Sequence, residues 1–286
     1  MELIFLQTCI NGLMLGSIYV LIALGLTLIF SIMGIINFAH GEIFMLGGFA
    51  TYFLGEYYGV NFFLSLIISM MIVAAFGVLI ERIIFRPLRE DPLNLLVISL
   101  GLAIVLQNLA LIFWGPEDRS IPIDFQGVVK IFGMMFSNER LAAFIISVTL
   151  VIGLYLFIGR TKAGKALQAV AQDYEAAALQ GININQMNAL AFGIGCALAS
   201  AAGSAMGPVF LVSPFMGIMP VMKAFIVIML GGLGSVIGSV VGGLVLGIAE
   251  SFGATYLGSE FQNMVGFIIL MVILIVKPLG LFGYRE

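Results

Sequence analysis

Gly159-Arg-Thr-Lys-Ala-Gly-Lys-Ala-Leu-Gln-Ala-Val-Ala-Gln-Asp-Tyr-Glu-Ala-Ala-Ala-Leu-Gln-Gly-Ile-Asn183 is a polar, helix-prone island in a sequence that is otherwise almost wholly apolar. Charge is costly in lipid, so this island must lie in water, and the apolar segments on either side of it must turn back into the membrane. Lys165 to Gln180 is a run of good helix formers. Gly181 stands where a left-handed residue closes a helix, and Asn183 or Asn185 can cap the next membrane helix. Ala166, Ala169, Ala176 and Ala177 leave a smooth face, while Asp173 and Glu175 offer charge to the basic groups of a soluble partner. The plainer reading of the same residues is a solvated loop helix that binds nothing.

Outward from the island, composition excludes a soluble protein. Of the 286 residues 62% are hydrophobic and 9% charged, against about 45–50% and about 25% in soluble domains. Runs without Lys, Arg, Asp or Glu extend from Glu2 to Glu42, Glu56 to Glu81, Asp91 to Glu117, Arg140 to Arg160, Glu175 to Lys223, Lys223 to Glu250 and Glu260 to Lys277. A span needs about 20 apolar residues. The expected fold is therefore an all-α polytopic bundle in one transmembrane domain, 1–286, with a cytoplasmic segment at about 160–185. Spans are expected at 4–33, 38–56, 61–81, 93–114, 141–159, 187–208, 218–254 and 262–280, eight in all. Gly231-Gly232-Leu233-Gly234 can break the seventh into two, and the long first segment can hold a short extra helix, so the number lies between eight and ten. No basic region precedes the first apolar segment, which reads as a retained helix.

Orientation follows from charge. Six of the twelve Lys and Arg residues fall in two short stretches, Arg82, Arg86 and Arg89, then Arg160, Lys162 and Lys165, and the positive-inside rule puts both in the cytoplasm. The connection from about 115 to 140 then faces outside as an exposed loop with room for a short interfacial element, and Lys277 and Arg285 favour a C-terminus inside. That requires an even number of crossings after the island and favours the broken form of 218–254. Small residues spaced by four, Gly12 with Gly16, Gly203 with Gly207, Gly238 with Gly242 and Gly243 with Gly247, point to close helix packing; a glycine-lined path is the alternative. Met45-Leu-Gly-Gly48 recurs as Met229-Leu-Gly-Gly232, a possible mark of two related halves.

A second polar constellation is Ile36-Asn-Phe-Ala-His-Gly-Glu-Ile-Phe44. Asn37, His40, Gly41 and Glu42 lie between two apolar segments, and ionisable groups at membrane depth are functional candidates, so these residues are candidates for a translocation pathway; a capped helix end at the interface is the alternative. His40 and Glu42, two apart, are not expected to touch on a helix. Lys223 is read as snorkelling to the interface, Gln107 and Asn108 as bonding across helices, and Cys9 and Cys196 as buried thiols without a disulfide. A single histidine argues against a metal site, no cofactor or catalytic residue is expected, and a net charge of −3 does not suggest nucleic acid. No Gly-x-x-x-x-Gly-Lys-Ser/Thr is present, so any ATP must be handled by another chain.

The chain resembles, over essentially its full length, the branched-chain amino acid ABC importer permeases of the Liv type. Three stretches carry the resemblance: Gly16-Ser-Ile-Tyr-Val-Leu-Ile-Ala-Leu-Gly-Leu-Thr-Leu-Ile-Phe30, Ile36-Asn-Phe-Ala-His-Gly-Glu-Ile-Phe-Met-Leu-Gly47 and the island 164–183. The ending Lys277-Pro-Leu-Gly-Leu-Phe-Gly283 agrees. The resemblance implies that the island is a coupling segment docked on an ATPase, its surface formed by Ala169–Asp173, Glu175–Ala177 and Gly181–Asn183. Gln168 stands where the family often has an arginine, so one salt bridge of that interface would be missing. It implies also a bacterial or archaeal plasma membrane, two cytoplasmic ATP-binding subunits, a second related permease and an extracytoplasmic binding protein. The implied substrates are leucine, isoleucine or valine, with urea or short amides as the alternative within the family. An ion-coupled secondary transporter, with Glu42 or Glu250 as its acid, or a passive channel, is the reading from outside it.

Overall fold

The computed structural model describes residues 2–89, 91–131 and 133–283; Arg285 lies outside them. The described residues form eleven α-helices and one two-stranded sheet. The helices are α1 (Glu2–Met33), α2 (His40–Tyr58), α3 (Phe62–Ile80, prolonged by single π and 3-10 turns to Leu88), α4 (Pro92–Trp114), α5 (Asn138–Arg160), α6 (Lys162–Gln172), α7 (Tyr174–Leu179), α8 (Ile184–Met206), α9 (Ile218–Gly231), α10 (Val236–Tyr256) and α11 (Gln262–Val276). Seven of the described helices are long and apolar enough to cross a bilayer, and α9 is a shorter apolar one. Eight to ten spans were expected; α2 and α9 occupy the remaining segments without being both that long and that apolar.

The long first segment is one helix of 32 residues, about 48 Å at 1.5 Å per residue, so it holds no separate short helix. The glycine run does break 218–254. Gly232 (φ +104°) and Gly234 (φ +81°) take left-handed backbone conformations that end α9 and open α10. Four crossings then follow the island. The C-terminal segment ends beside this break, where the Leu281 and Phe282 amides donate to the carbonyls of Leu230 and Gly231. Ser31, at the end of α1, donates to the Gly234 carbonyl (2.9 Å). Ile32 and Met33 share a crevice with Arg89, Tyr174 and Asn188. The basic turn after α3, the island, the end of α1 and the C-terminal segment thus gather at one end of the bundle, the cytoplasmic end by charge.

The N-terminus lies at the other end. Gln7 Nε2 donates to the Met135 carbonyl (3.1 Å) in a hairpin of β1 (Val128–Ile131) and β2 (Met134–Ser137), with Val128 opposite Ser137. The 115–140 connection thus carries a short element, this hairpin, within its loop. Its Arg119 pairs backbone to backbone with Val212 (2.9 and 2.7 Å) and sets its guanidinium over the Tyr52 and Phe53 rings, 5.4 and 5.8 Å from their centroids.

Glycine lets the central helices touch backbone to backbone. A Cβ on Gly12 would stand 2.6 Å from Ile248 Cα, and one on Gly16 2.8 Å from the Gly243 carbonyl oxygen. The spaced glycines of α1 and α10 are packing residues within the subunit. Helix α8 also packs closely on α3, where a Cβ on Gly193 would stand 2.8 Å from the Val78 side chain at Cγ2 and Ser69 and Ser200 hydroxyls bond at 2.8 Å. So α1 rests on α10 as α8 rests on α3, and the short α2 and α9 face each other at Gly41 and Gly217. Because α8 starts at the end where α1 finishes, the helices α1–α4 and α8–α11 form two halves of opposite direction. The Met-Leu-Gly-Gly repeat does not mark this relation, since Met45 lies early in α2 while Met229 ends α9. The two thiols are unpaired, Cys196 buried.

Gly247→Leu is expected to lower the yield and the unfolding temperature of the detergent-solubilised protein. Its new side chain would enter the Gly12–Gly16 backbone, and overpacking costs about 1–3 kcal/mol even where the obstacle is a side chain. An unchanged melting midpoint would show that the seam can open.

Candidate functional site

The island folds as two helices, not as the single helix 165–180 expected from composition. Asp173 is the reason. Its backbone is extended (φ −154°, ψ 107°), and its carboxylate accepts from the Ala176 amide (2.9 Å), which caps α7 and stops α6. One oxygen of Asp173 is thus committed to the chain's own turn. Thr161 caps α6 in the same way, accepting from the Gly164 amide (2.9 Å). Gly164 allows α6 to fold directly onto the end of α5, since a Cβ there would stand 2.6 Å from Ile158 Cα.

Burial then divides the island. Leu167, Val170 and Ala177 face the bundle, and Ala177 at 4% exposure is withdrawn from the smooth face assigned to it. Ala169 is half-buried, whereas Asp173, Glu175, Ala176, Gly181 and Asn183 are exposed. Gly181 takes the left-handed conformation expected of it (φ +82°). Asn183 caps α8 by accepting from the Gln186 amide (3.1 Å). Sequence reasoning missed two residues on α7. Tyr174 is 46% exposed, and Leu179, at 87%, is more exposed than any other large hydrophobic among the described residues. An apolar residue inside a charged, water-facing segment was the available signal.

The island is braced to the basic turn. Glu81, its side chain fully buried, accepts from Arg86 (3.2 Å) and Arg89 (2.8 Å). Arg86 also donates to the Asn185 carbonyl (3.2 Å), and Arg89 to Asn185 Oδ1 (3.1 Å). The Asn188 amide oxygen, turned toward Arg89, accepts at 2.8 and 3.0 Å. Asn185 thus serves the arginines while Asn183 serves as the cap. The start of α8 is tied to the end of α3, so a force on α7 reaches both.

The second constellation is enclosed. Asn37, His40 and Glu42 are buried. Asn37 Oδ1 accepts from the Ala39 amide (3.1 Å), and Ser99 of α4 receives the Phe38 amide (3.2 Å). Asn37 Nδ2, both His40 ring nitrogens and Glu42 Oε2 have no hydrogen-bond partner; the Ile22 carbonyl lies near His40 but outside bonding geometry. His40 and Glu42 make no bond to each other, in keeping with their spacing. Gly41 meets α9, where a Cβ would stand 2.5 Å from the Gly217 carbonyl oxygen.

Lys223 does not snorkel. It is 3% exposed, and its Nζ donates to Glu250 Oε1, while the Tyr19 hydroxyl donates to Glu250 Oε2 (2.8 Å). This buried group joins α9, α10 and α1, and it pairs Glu250, one of the two acids an ion-coupled transporter could use. Asn108 bonds to its own helix at the Ile104 carbonyl (2.8 Å), not across helices.

The chain is similar to known proteins over nearly its full length. The family described as the permease component of branched-chain amino acid transport systems matches residues 8–276. The high-affinity branched-chain amino acid permease protein LivH of Escherichia coli is 36% identical over 99% of this chain and 97% of its own length. BraD of Pseudomonas aeruginosa is 36% identical over the same shares. LivM of Escherichia coli is 26% identical over 93% of this chain and 68% of its own length. The solved structure of PsaBC from Streptococcus pneumoniae in complex with Fab has the same fold (TM-score 0.53, 13% identity, 97% of this chain and 94% of that one). The chain belongs to the family of permease components of branched-chain amino acid transport systems.

Proposed function

We propose that this chain is the membrane-spanning subunit of an ATP-driven importer of branched-chain amino acids. It works in a bacterial or archaeal plasma membrane beside a second, related permease, two cytoplasmic ATP-binding subunits and an external binding protein. Family membership supports the permease role, and the similarity to both LivH and LivM supports a pair of related permeases. The observation that carries the coupling role is Leu179, an apolar side chain held in water on a short helix that packs against α6 and α8. Such exposed apolar groups mark interaction sites.

In this reading ATP draws the two ATPase subunits together, and α7, seated in a cleft of one of them, moves with it. Ala169, Asp173, Glu175, Ala176, Ala177, Gly181 and Asn183 remain the coupling segment, but with divided duties. Glu175, Ala176, Tyr174 and Leu179 meet the ATPase. Asp173, Gly181 and Asn183 hold the turns. Ala169 and Ala177 seat the helices on the bundle. The movement passes through α6 to α5 and through the Arg86–Arg89 brace to α8 and α3, which tilt and open the pathway alternately to the two sides. Asn37, His40, Gly41 and Glu42 form a polar station on that pathway. The unpartnered Glu42 oxygen favours a solute with an ammonium group over urea or an amide.

The test is reconstitution in liposomes with the related permease, the ATPases and the binding protein. Radiolabelled leucine uptake that requires internal ATP is expected, with urea uptake absent. Uptake by this chain alone under an ion gradient, without ATP, would overturn the reading.

A further inference from the structure

A cleft of about 630 Å³ opens at the cytoplasmic end of the bundle between the ends of α1 and α5, the inner face of α6 and the first turn of α10. Its floor is apolar, with Ile32 and Leu167 buried in it. Its rim is polar and carries one charge, Arg160, beside Gln168 and Ser235; no acidic side chain lines it. Arg160 makes no ion pair among the described residues. Ser235 caps only the Gly238 amide (3.0 Å), which leaves the Val236 and Ile237 amides without a protein acceptor among the described residues. The rim is therefore positive twice over, by the guanidinium and by the helix start. On the bilayer side the wall continues through Tyr155, an exposed aromatic at the level where the spans leave the lipid.

From this geometry we infer that the cleft is a binding site for one anionic glycerophospholipid of the cytoplasmic leaflet, its phosphate and charged headgroup at Arg160 and the start of α10, and an acyl chain on the floor. An oily floor under a cationic rim at the interface matches an anionic amphiphile. A zwitterionic lipid gains less from Arg160, and a free phosphate leaves the floor uncovered. Because α6 is one wall, the lipid sits directly behind the coupling segment and braces it against α1 and α10.

The purified full chain, equilibrated with equal phosphatidylglycerol and phosphatidylcholine in detergent and analysed by native mass spectrometry, is expected to retain one phosphatidylglycerol. The enrichment should be roughly fivefold, as one basic residue at an anionic surface supplies. Arg160→Gln should abolish that preference and Arg160→Lys should keep most of it. Ala171→Phe, which fills the cleft from its α6 wall, should lose the lipid altogether while the melting temperature stays within the wild-type range. Equal retention of the two lipids by the wild type, or undiminished preference in Arg160→Gln, overturns the site. So does cross-linking that shows an ATPase side chain in the cleft of the assembled transporter.

Discussion

Glu250→Ala is expected to leave almost no folded protein in the membrane, while Lys223→Met combined with Glu250→Leu is expected to restore it. The carboxylate lies between Lys223 of α9 and Tyr19 of α1, and all three groups are buried. Removing the acid strands an ammonium among apolar helices, and breaking a buried pair from one side costs about 3–5 kcal/mol. That is a large share of the roughly 5–15 kcal/mol that holds a domain folded. Replacing both partners by apolar groups of similar volume removes the stranded charge, and such exchanges are often neutral or better. Gly266 of α11 leaves room for the pair, since a Cβ there would stand 2.6 Å from Glu250 Oε1 and 3.4 Å from Lys223 Nζ; Gly266→Ala should therefore weaken the fold in the same direction. Yield of a fluorescent fusion in membranes and its melting profile in detergent measure all of these. A Glu250→Ala protein as stable as the parent would show that the pair contributes nothing.

Leu179→Asp together with Tyr174→Ala should lower ATP-driven uptake by more than tenfold and weaken assembly with the ATPase, with the membrane domain unaltered. Neither side chain is buried in the subunit, so their loss costs the isolated fold little. Buried in an interface, anchors of this kind are worth about 2 kcal/mol or more each, and about 1.4 kcal/mol is a factor of ten. Glu175→Lys adds a charge test at the same surface. Asp173→Lys would be a poorer probe, because it also removes the cap of α7. Two measurements separate the outcomes, co-purification of the ATPase and the melting temperature of the permease alone. Normal uptake and assembly by the double variant would show that α7 is not the docking helix.

Much of the island was readable because caps are local. Gly181 precedes a helix start, Asn183 is a capping residue, and the positions of both followed from side-chain chemistry within a few residues. The break at Asp173 rests on the same chemistry, yet the good helix formers on both sides concealed it. No local rule foretold that Ala177 would turn inward and Leu179 outward, because that depends on how α7 lies against α8. The start of α2 was located correctly as a polar interruption, but its enclosure by α1, α4, α8 and α9 was not visible, so its partnerless atoms were not either.

Charge and apolar run length alone settled a helical membrane bundle and called for an aqueous island, because burial of charge in lipid is expensive whatever the packing. Pairing of Lys223 with Glu250, the glycine seam between α1 and α10, the opposed halves and the contact of the start of α1 with the hairpin came only with the assembled helices. Those features join residues as far as 236 positions apart, as Gly12 with Ile248, and contact between such distant groups is decided by which surfaces fit, a property that no single segment carries.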